Sequence, residues 1–148
     1  MMLRIFSIMI ILSLALTASS EQKTVDQLKI EAEHAAPDQQ ARIYAEIADA
    51  LVPVADKEFT DGESVKGHTM VQEILQYATK AHDLAIQGRK KMKETEKALR
   101  QCRRRLESMR RTLAAEDRPK VEAVEKQLEK LTEEVLESMF APPKKDQK

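Results

Sequence analysis

Apolar side chains recur along the centre of the chain at steps of three and four residues. This spacing is typical of a helix that packs lengthwise against other helices. Because the steps pass through Gly88 without a shift, and no helix-stopping residue stands beside it, the pattern favours one helix over about residues 64–115. A break at Gly88 is the alternative. The members of this central apolar row are Val71, Ile74, Ala78, Ala81, Ala85, Gly88, Met92, Thr95, Leu99, Cys102, Leu106, Met109 and Leu113.

Three further segments also predict helices. A first short helix follows Thr24, which with Gln27 forms a capping-box pair, and it ends by residue 36. A second begins at Pro37 and runs to about residue 60, where Gly62 stops it; Pro53 lies inside it and is expected to kink or split it. A last helix follows Asp117, which is placed to cap it, and repeats the three-and-four spacing. Its apolar members are Val121, Val124, Leu128, Leu131 and Val135.

These segments predict an all-α protein. A short connection after residue 115 folds the last helix back antiparallel on the long one. We therefore expect a small helical bundle over residues 21–88, continuing into a long antiparallel coiled-coil hairpin over residues 89–140. Residues 141–148 contain two prolines and then mostly charged residues, and are expected to form a disordered tail.

The first twenty residues have the composition of a signal peptide. Arg4 precedes an apolar run over residues 5–16, and small residues follow at 18–20, so we expect cleavage before Glu21. An uncleaved N-terminal anchor is the alternative, although the run is short for a membrane span. We expect an exported protein, periplasmic or secreted, with no stable membrane span after cleavage.

Charge is distributed unevenly, although the net charge is zero. Residues 89–111 carry 11 basic and 3 acidic side chains, a net of +8, whereas residues 116–137 carry 4 basic and 8 acidic ones, a net of −4. We expect the two segments to pair internally, with Arg103, Arg105 and Arg110 near Glu125 and Glu134. The outward positions remain as the candidate interaction face: Lys93, Lys97, Arg100, Arg104 and Arg111. Since this segment has no aromatic residue for base stacking, we do not expect a nucleic-acid partner.

Residue patterns typical of catalysis are absent from the sequence. It has no phosphate-binding glycine motif and no nucleophile elbow, and His34, His68 and His82 lack the spacing of metal ligands, so surface or turn positions are expected for them. Cys102 lies on the apolar row and is expected to be a core residue; a disulfide between two chains is the alternative. We predict no enzymatic activity, no cofactor and no metal.

The stretch at residues 55–65, ADKEFTDGESV, resembles the turn between the two helices of tetratricopeptide-type repeats. The resemblance covers one helical hairpin, about residues 41–86, and no second copy is visible. It implies a helix-hairpin scaffold that binds other proteins, and it assigns no functional residue. The layout of a leader followed by helices also resembles that of many exported bacterial proteins.

These observations lead to three hypotheses about function. The first is a non-enzymatic scaffold or adaptor that binds a protein partner through helical surfaces. The second is electrostatic binding to anionic lipid or an envelope polymer through the basic segment at residues 89–111. The third is a homodimer in which remaining apolar area pairs between chains.

Overall fold

The structure is a computed structural model that describes residues 23–142, which form five α-helices and no strand. The predicted all-α class is confirmed. The predicted signal peptide at 1–20 and most of the predicted tail, residues 143–148, lie outside the described residues. The helices are α1 (Val25–His34), α2 (Pro37–Thr60), α3 (Ser64–Gly88), α4 (Met92–Thr112) and α5 (Arg118–Phe140).

Local chemistry at the predicted helix ends accounts for where α1 begins and α2 stops. Thr24 and Gln27 form the capping box, in which each side chain accepts from the other residue's backbone N–H. Gly62 adopts a φ of +80°, and the N–H of Glu63 donates to the Glu58 carbonyl at 2.9 Å. This hydrogen bond closes a Schellman turn, for which glycine has no steric cost. The helix α2 is continuous through Pro53, which is exposed, so Pro53 does not split it.

Helices α2 to α5 form a four-helix bundle, with α1 packed on α2. Around the bundle, neighbouring pairs are α2–α3, α3–α5, α5–α4 and α4–α2, so the short connection from α3 to α4 crosses one end diagonally. Buried apolar residues from all five helices form one core cluster. The expected hairpin beyond a separate bundle is not confirmed, because α4 and α5 pack on α2 and α3 as well as on each other.

The prediction of one helix over residues 64–115 is wrong. The helix α3 ends at Gly88, where the N–H of Arg89 donates to the Ala85 carbonyl, and α4 begins at Met92. Arg89 and Lys91 have φ values of 52° and 53°, which reverse the chain. Because α3 and α4 line the same core and the connection has three residues, the heptad phase continues although the helix does not.

Candidate binding face on the outer side of α4

The five residues predicted as the interaction face lie in one exposed row on α4. They occupy the side of the helix opposite Leu99, Cys102 and Leu106, each of which is fully buried. From the first to the last, the row covers about 27 Å at the rise of an α-helix. We call this row, which consists of Lys93, Lys97, Arg100, Arg104 and Arg111, the basic face.

Two of the five cations have a carboxylate of the same helix beside them. Arg100 lies 3.5 Å from Glu96, and Arg111 pairs with Glu107. The other three, Lys93, Lys97 and Arg104, form no ion pair with any residue between 23 and 142. The basic face therefore carries charge that the described part of the bundle does not neutralise.

The arginines that flank this face make contacts that the sequence predicted only in part. Arg110 pairs with Glu125 of α5, as predicted, and this pairing is the main reason that the pKa of Arg110 is raised. Arg105 instead lies 3.4 Å from Asp49 of α2, and Arg103 lies 3.9 Å from Glu107 on its own helix. The prediction failed for Arg105 because α4 has α2 on one flank and α5 on the other.

Asp49 is an acidic residue of α2 that lies in the contact between α2 and α4. Burial raises the pKa of its carboxyl group above the ordinary value, and Arg105 opposes that effect. One carboxylate oxygen accepts a hydrogen bond from the Gln101 side chain at 3.2 Å, whereas the other is buried with no hydrogen-bond partner in the described protein. Sequence reasoning missed this residue, since its position in α2 has no motif around it.

The 89–91 connection adds cationic residues at the N-terminal end of α4. Arg89 donates to the carbonyl oxygens of Ser138 and Ala141, both at 3.0 Å, and so holds the end of α5. Lys90 and Lys91 are exposed. These two lysines lie outside the predicted interaction face, because a continuous helix was expected here. The glycine before three basic residues was the available signal for a turn.

Surface or turn positions were predicted for all three histidines, but two of them are largely buried. His34 is exposed, but His68 and His82 have side chains only 19% and 14% exposed, in the contact between α3 and α5. His68 lies 2.9 Å from a carboxylate oxygen of Asp117, and His82 lies 2.7 Å from one of Glu134. Both histidines were misplaced because their carboxylate partners, Asp117 just before α5 and Glu134 within it, are distant in sequence.

The Asp117 carboxylate does not cap α5 as predicted. It makes no capping hydrogen bond in α5, and instead accepts from the Ser64 hydroxyl at 3.1 Å and contacts His68. Although Ser64, His68 and Asp117 are grouped, the serine hydroxyl donates to the carboxylate and not to the histidine. This arrangement lacks the hydroxyl-to-base contact that activates a serine nucleophile.

Cys102 is fully buried in the core, as predicted. Burial is the main cause that raises the pKa of its thiol, which disfavours the reactive thiolate. Within residues 23–142 there is no group of three histidine, cysteine or acidic side chains placed to hold a metal ion. No helix in that range is long and apolar enough to cross a membrane.

The fold and the basic face define the class of this protein: an all-α helical bundle that presents one cationic helix surface. Comparison of the chain with protein-family models, with curated proteins and with solved structures finds no match.

Proposed function

We propose that this protein is a non-enzymatic helical scaffold of the cell envelope that binds an anionic partner through the basic face of α4. One observation carries the proposal: Lys93, Lys97 and Arg104 lie in one exposed row and form no direct ion pair with any residue between 23 and 142, although acids that include Glu94 lie in the groove beside Lys97. Because these three cations form no ion pair, they add no ion-pair energy to the bundle. Their arrangement is explained by an external partner of opposite charge.

The composition of the basic face indicates how such a partner would be held. The large apolar side chains that are exposed in the described protein are Ile30, Val54, Val65, Leu136 and Phe140, and none belongs to α4 or to the 89–91 connection. Binding at the basic face is therefore electrostatic. It should weaken steeply as salt is added, since added ions screen charges at a solvated surface.

Binding to a second protein, the leading hypothesis from the sequence, is supported by a different surface. Leu136 and Phe140 are 42% and 82% exposed and lie four residues apart on α5, so they project from one side of that helix. Aromatic side chains such as that of Phe140 are enriched in protein interfaces relative to the rest of the surface. An adaptor would use this apolar pair for a protein and the basic face for an anionic partner; the resemblance of residues 41–86 to a tetratricopeptide-type hairpin is in keeping with it.

Site-specific crosslinking in the native compartment tests the role of the basic face. A photoreactive amino acid replaces Lys97 in the full chain, and in a matched control it replaces Lys66, an exposed lysine of α3. We expect adducts from position 97 that disappear when the salt concentration is raised, and none that behave so from position 66. Identical adducts from both positions, or no adduct from position 97, would contradict the proposal.

A further inference from the structure

We infer that the anionic partner of the basic face is a membrane surface of anionic lipids, on which α4 and the 89–91 connection lie flat. This inference rests on the proposed function and names the partner of the same face. It is carried by the backbone of the 89–91 connection, by the row of cations that continues from it, and by the place where the N-terminal side of the described chain reaches α4.

The backbone of the 89–91 connection is strained at two cationic residues. Arg89 and Lys91 have φ values of 52° and 53°, a left-handed conformation that residues with a side chain adopt at a cost and glycine adopts freely. Arg89 uses its guanidinium internally, on two carbonyl groups at the end of α5. The ammonium of Lys91 makes no hydrogen bond or ion pair with the described residues. Contacts inside the bundle therefore do not account for a lysine at this strained position.

The cations without internal partners form a continuous array. From Lys91 at the connection to Arg104 on α4, the array covers about 20 Å. A flat surface can meet the three unpaired cations of the α4 row, Lys93, Lys97 and Arg104, at once, whereas a folded protein would need matching acids and an apolar centre, which the basic face does not offer. The array consists of Lys91, Lys93, Lys97 and Arg104, whereas Lys90 lines a groove with Asp38 of α2 and Leu84 of α3.

The absence of exposed apolar side chains on this surface defines the mode of contact. Helices that insert into a lipid interface carry a large apolar face, and the large apolar side chains of α4 and of the 89–91 connection in the described structure are buried. Cationic side chains next to anionic lipids are attracted without insertion, and this attraction decays within a Debye length. We infer adsorption at the headgroups, not penetration.

Lys23, the first residue that the structure describes, lies beside α4. Lys23 lines a cavity of about 350 Å³ together with Gln101 and Arg105 of α4. In the sequence, the apolar run at residues 5–16 ends seven residues before Lys23. Seven residues extend over at most about 25 Å. In the alternative in which the run is kept as an uncleaved N-terminal anchor, it would bring α4 within reach of the headgroups; in the cleaved protein the cations of α4 alone make the contact.

The test measures binding of the protein purified from its native compartment to lipid vesicles. Vesicles of phosphatidylglycerol with phosphatidylcholine are compared with vesicles of phosphatidylcholine alone, across a range of salt concentrations. We expect binding to the anionic vesicles only, and lost at high salt. Binding to both kinds that does not respond to salt would point to the apolar run and not to α4, and would overturn the inference.

Variants then locate the contact. Each cation near an anionic surface strengthens binding by about fivefold, so K97Q/R104Q should weaken it by about 25-fold. K91G should weaken binding by about fivefold while the thermal unfolding midpoint stays at or above that of the wild type, because glycine relieves the strain. The control K66Q/K126Q, on α3 and α5, should change binding by less than about twofold. Wild-type binding by K91G, or an equal loss in the control, would overturn the inference.

Two soluble polyanions separate this inference from the proposed function. Polyglutamate stands for an acidic protein and polyphosphate for a phosphate polymer. If the protein binds either of them through Lys97 and Arg104 but not the anionic vesicles, the lipid inference is overturned and the proposed function stands. If it binds neither the polyanions nor the vesicles, and position 97 gives no crosslink, both are overturned.

Discussion

Replacing Gly67 by alanine tests the packing of α3 against the end of α2. A methyl group added to Gly67 would lie 2.8 Å from three ring carbons of Phe59. Carbon atoms in good contact are about 3.5–4.0 Å apart, so the ring would have to move by close to 1 Å. That ring is also held edge-on by His68, with ring centroids 5.0 Å apart. The structure therefore predicts that this small substitution overpacks the α2–α3 contact.

The magnitude follows from two opposing effects. Alanine is favoured over glycine inside a helix by about 1 kcal/mol. Overpacking a well-filled contact costs about 1–3 kcal/mol. We expect Gly67→Ala to lower the free energy of unfolding by about 0–2 kcal/mol. Gly88 is the matched control, because an added methyl group meets nothing within 4 Å there and its φ is not positive, so Gly88→Ala should raise stability by up to about 1 kcal/mol.

The two variants are compared by urea unfolding followed by circular dichroism. Since both replace glycine by alanine in the same helix, the helix-propensity gain largely cancels, and the difference of about 1–3 kcal/mol reports the clash with Phe59. In the Phe59→Leu background the difference should shrink, because the ring atoms are gone. If Gly67→Ala is as stable as Gly88→Ala in the wild-type background, the Phe59 ring does not pack on Gly67 and the reasoning is refuted.

Two further predictions concern buried polar groups. Cys102 should not react with a thiol reagent in the native protein and should react fully in denaturant, because burial raises its pKa; fast native reaction would contradict its core position. Burial also raises the pKa of the Asp49 carboxyl group, so the folded state binds a proton there more tightly than the unfolded state does. The stability that this protonation contributes is lost as the pH rises from about 4. Asp49→Asn lacks this loss and should gain stability relative to the wild type as pH rises from about 4 to 7, as measured by urea unfolding across pH; a constant difference would contradict it.

Helix ends that depend on neighbouring residues could be predicted from the sequence. The Thr24 cap, the Pro37 start and the Gly62 stop each arise from residues within a few positions of one another. Such features depend on local backbone geometry, and no knowledge of the tertiary fold is needed. The exposure of the five basic-face residues was predictable for a similar reason, since a strong apolar row on α4 fixes which side of that helix is opposite.

The contacts between distant helices could not be predicted in the same way. The partner of Arg105 depends on α2 lying beside α4, and the heptad pattern contains no information on which helix occupies which flank. His68 and His82 contact Asp117 and Glu134, which lie 49 and 52 residues further along the chain. The break after Gly88 was hidden because α3 and α4 line one core, so the apolar spacing persisted across the turn.

The net charge of zero does not oppose binding of an anion at α4. Neighbouring helices in a bundle lie about 8–10 Å apart, which is comparable to the Debye length of about 8 Å at physiological salt. Acidic side chains on the far side of α5 are therefore largely screened from a partner at the basic face. The acids nearest the basic face are Glu94 of α4 with Glu46 and Asp49 of α2, which line one groove with Lys97, and Glu107, which pairs with Arg111. They are fewer than the cations of α4 and of the 89–91 connection. A partner that approaches this side meets a locally cationic surface on a protein whose pI is near 6.9.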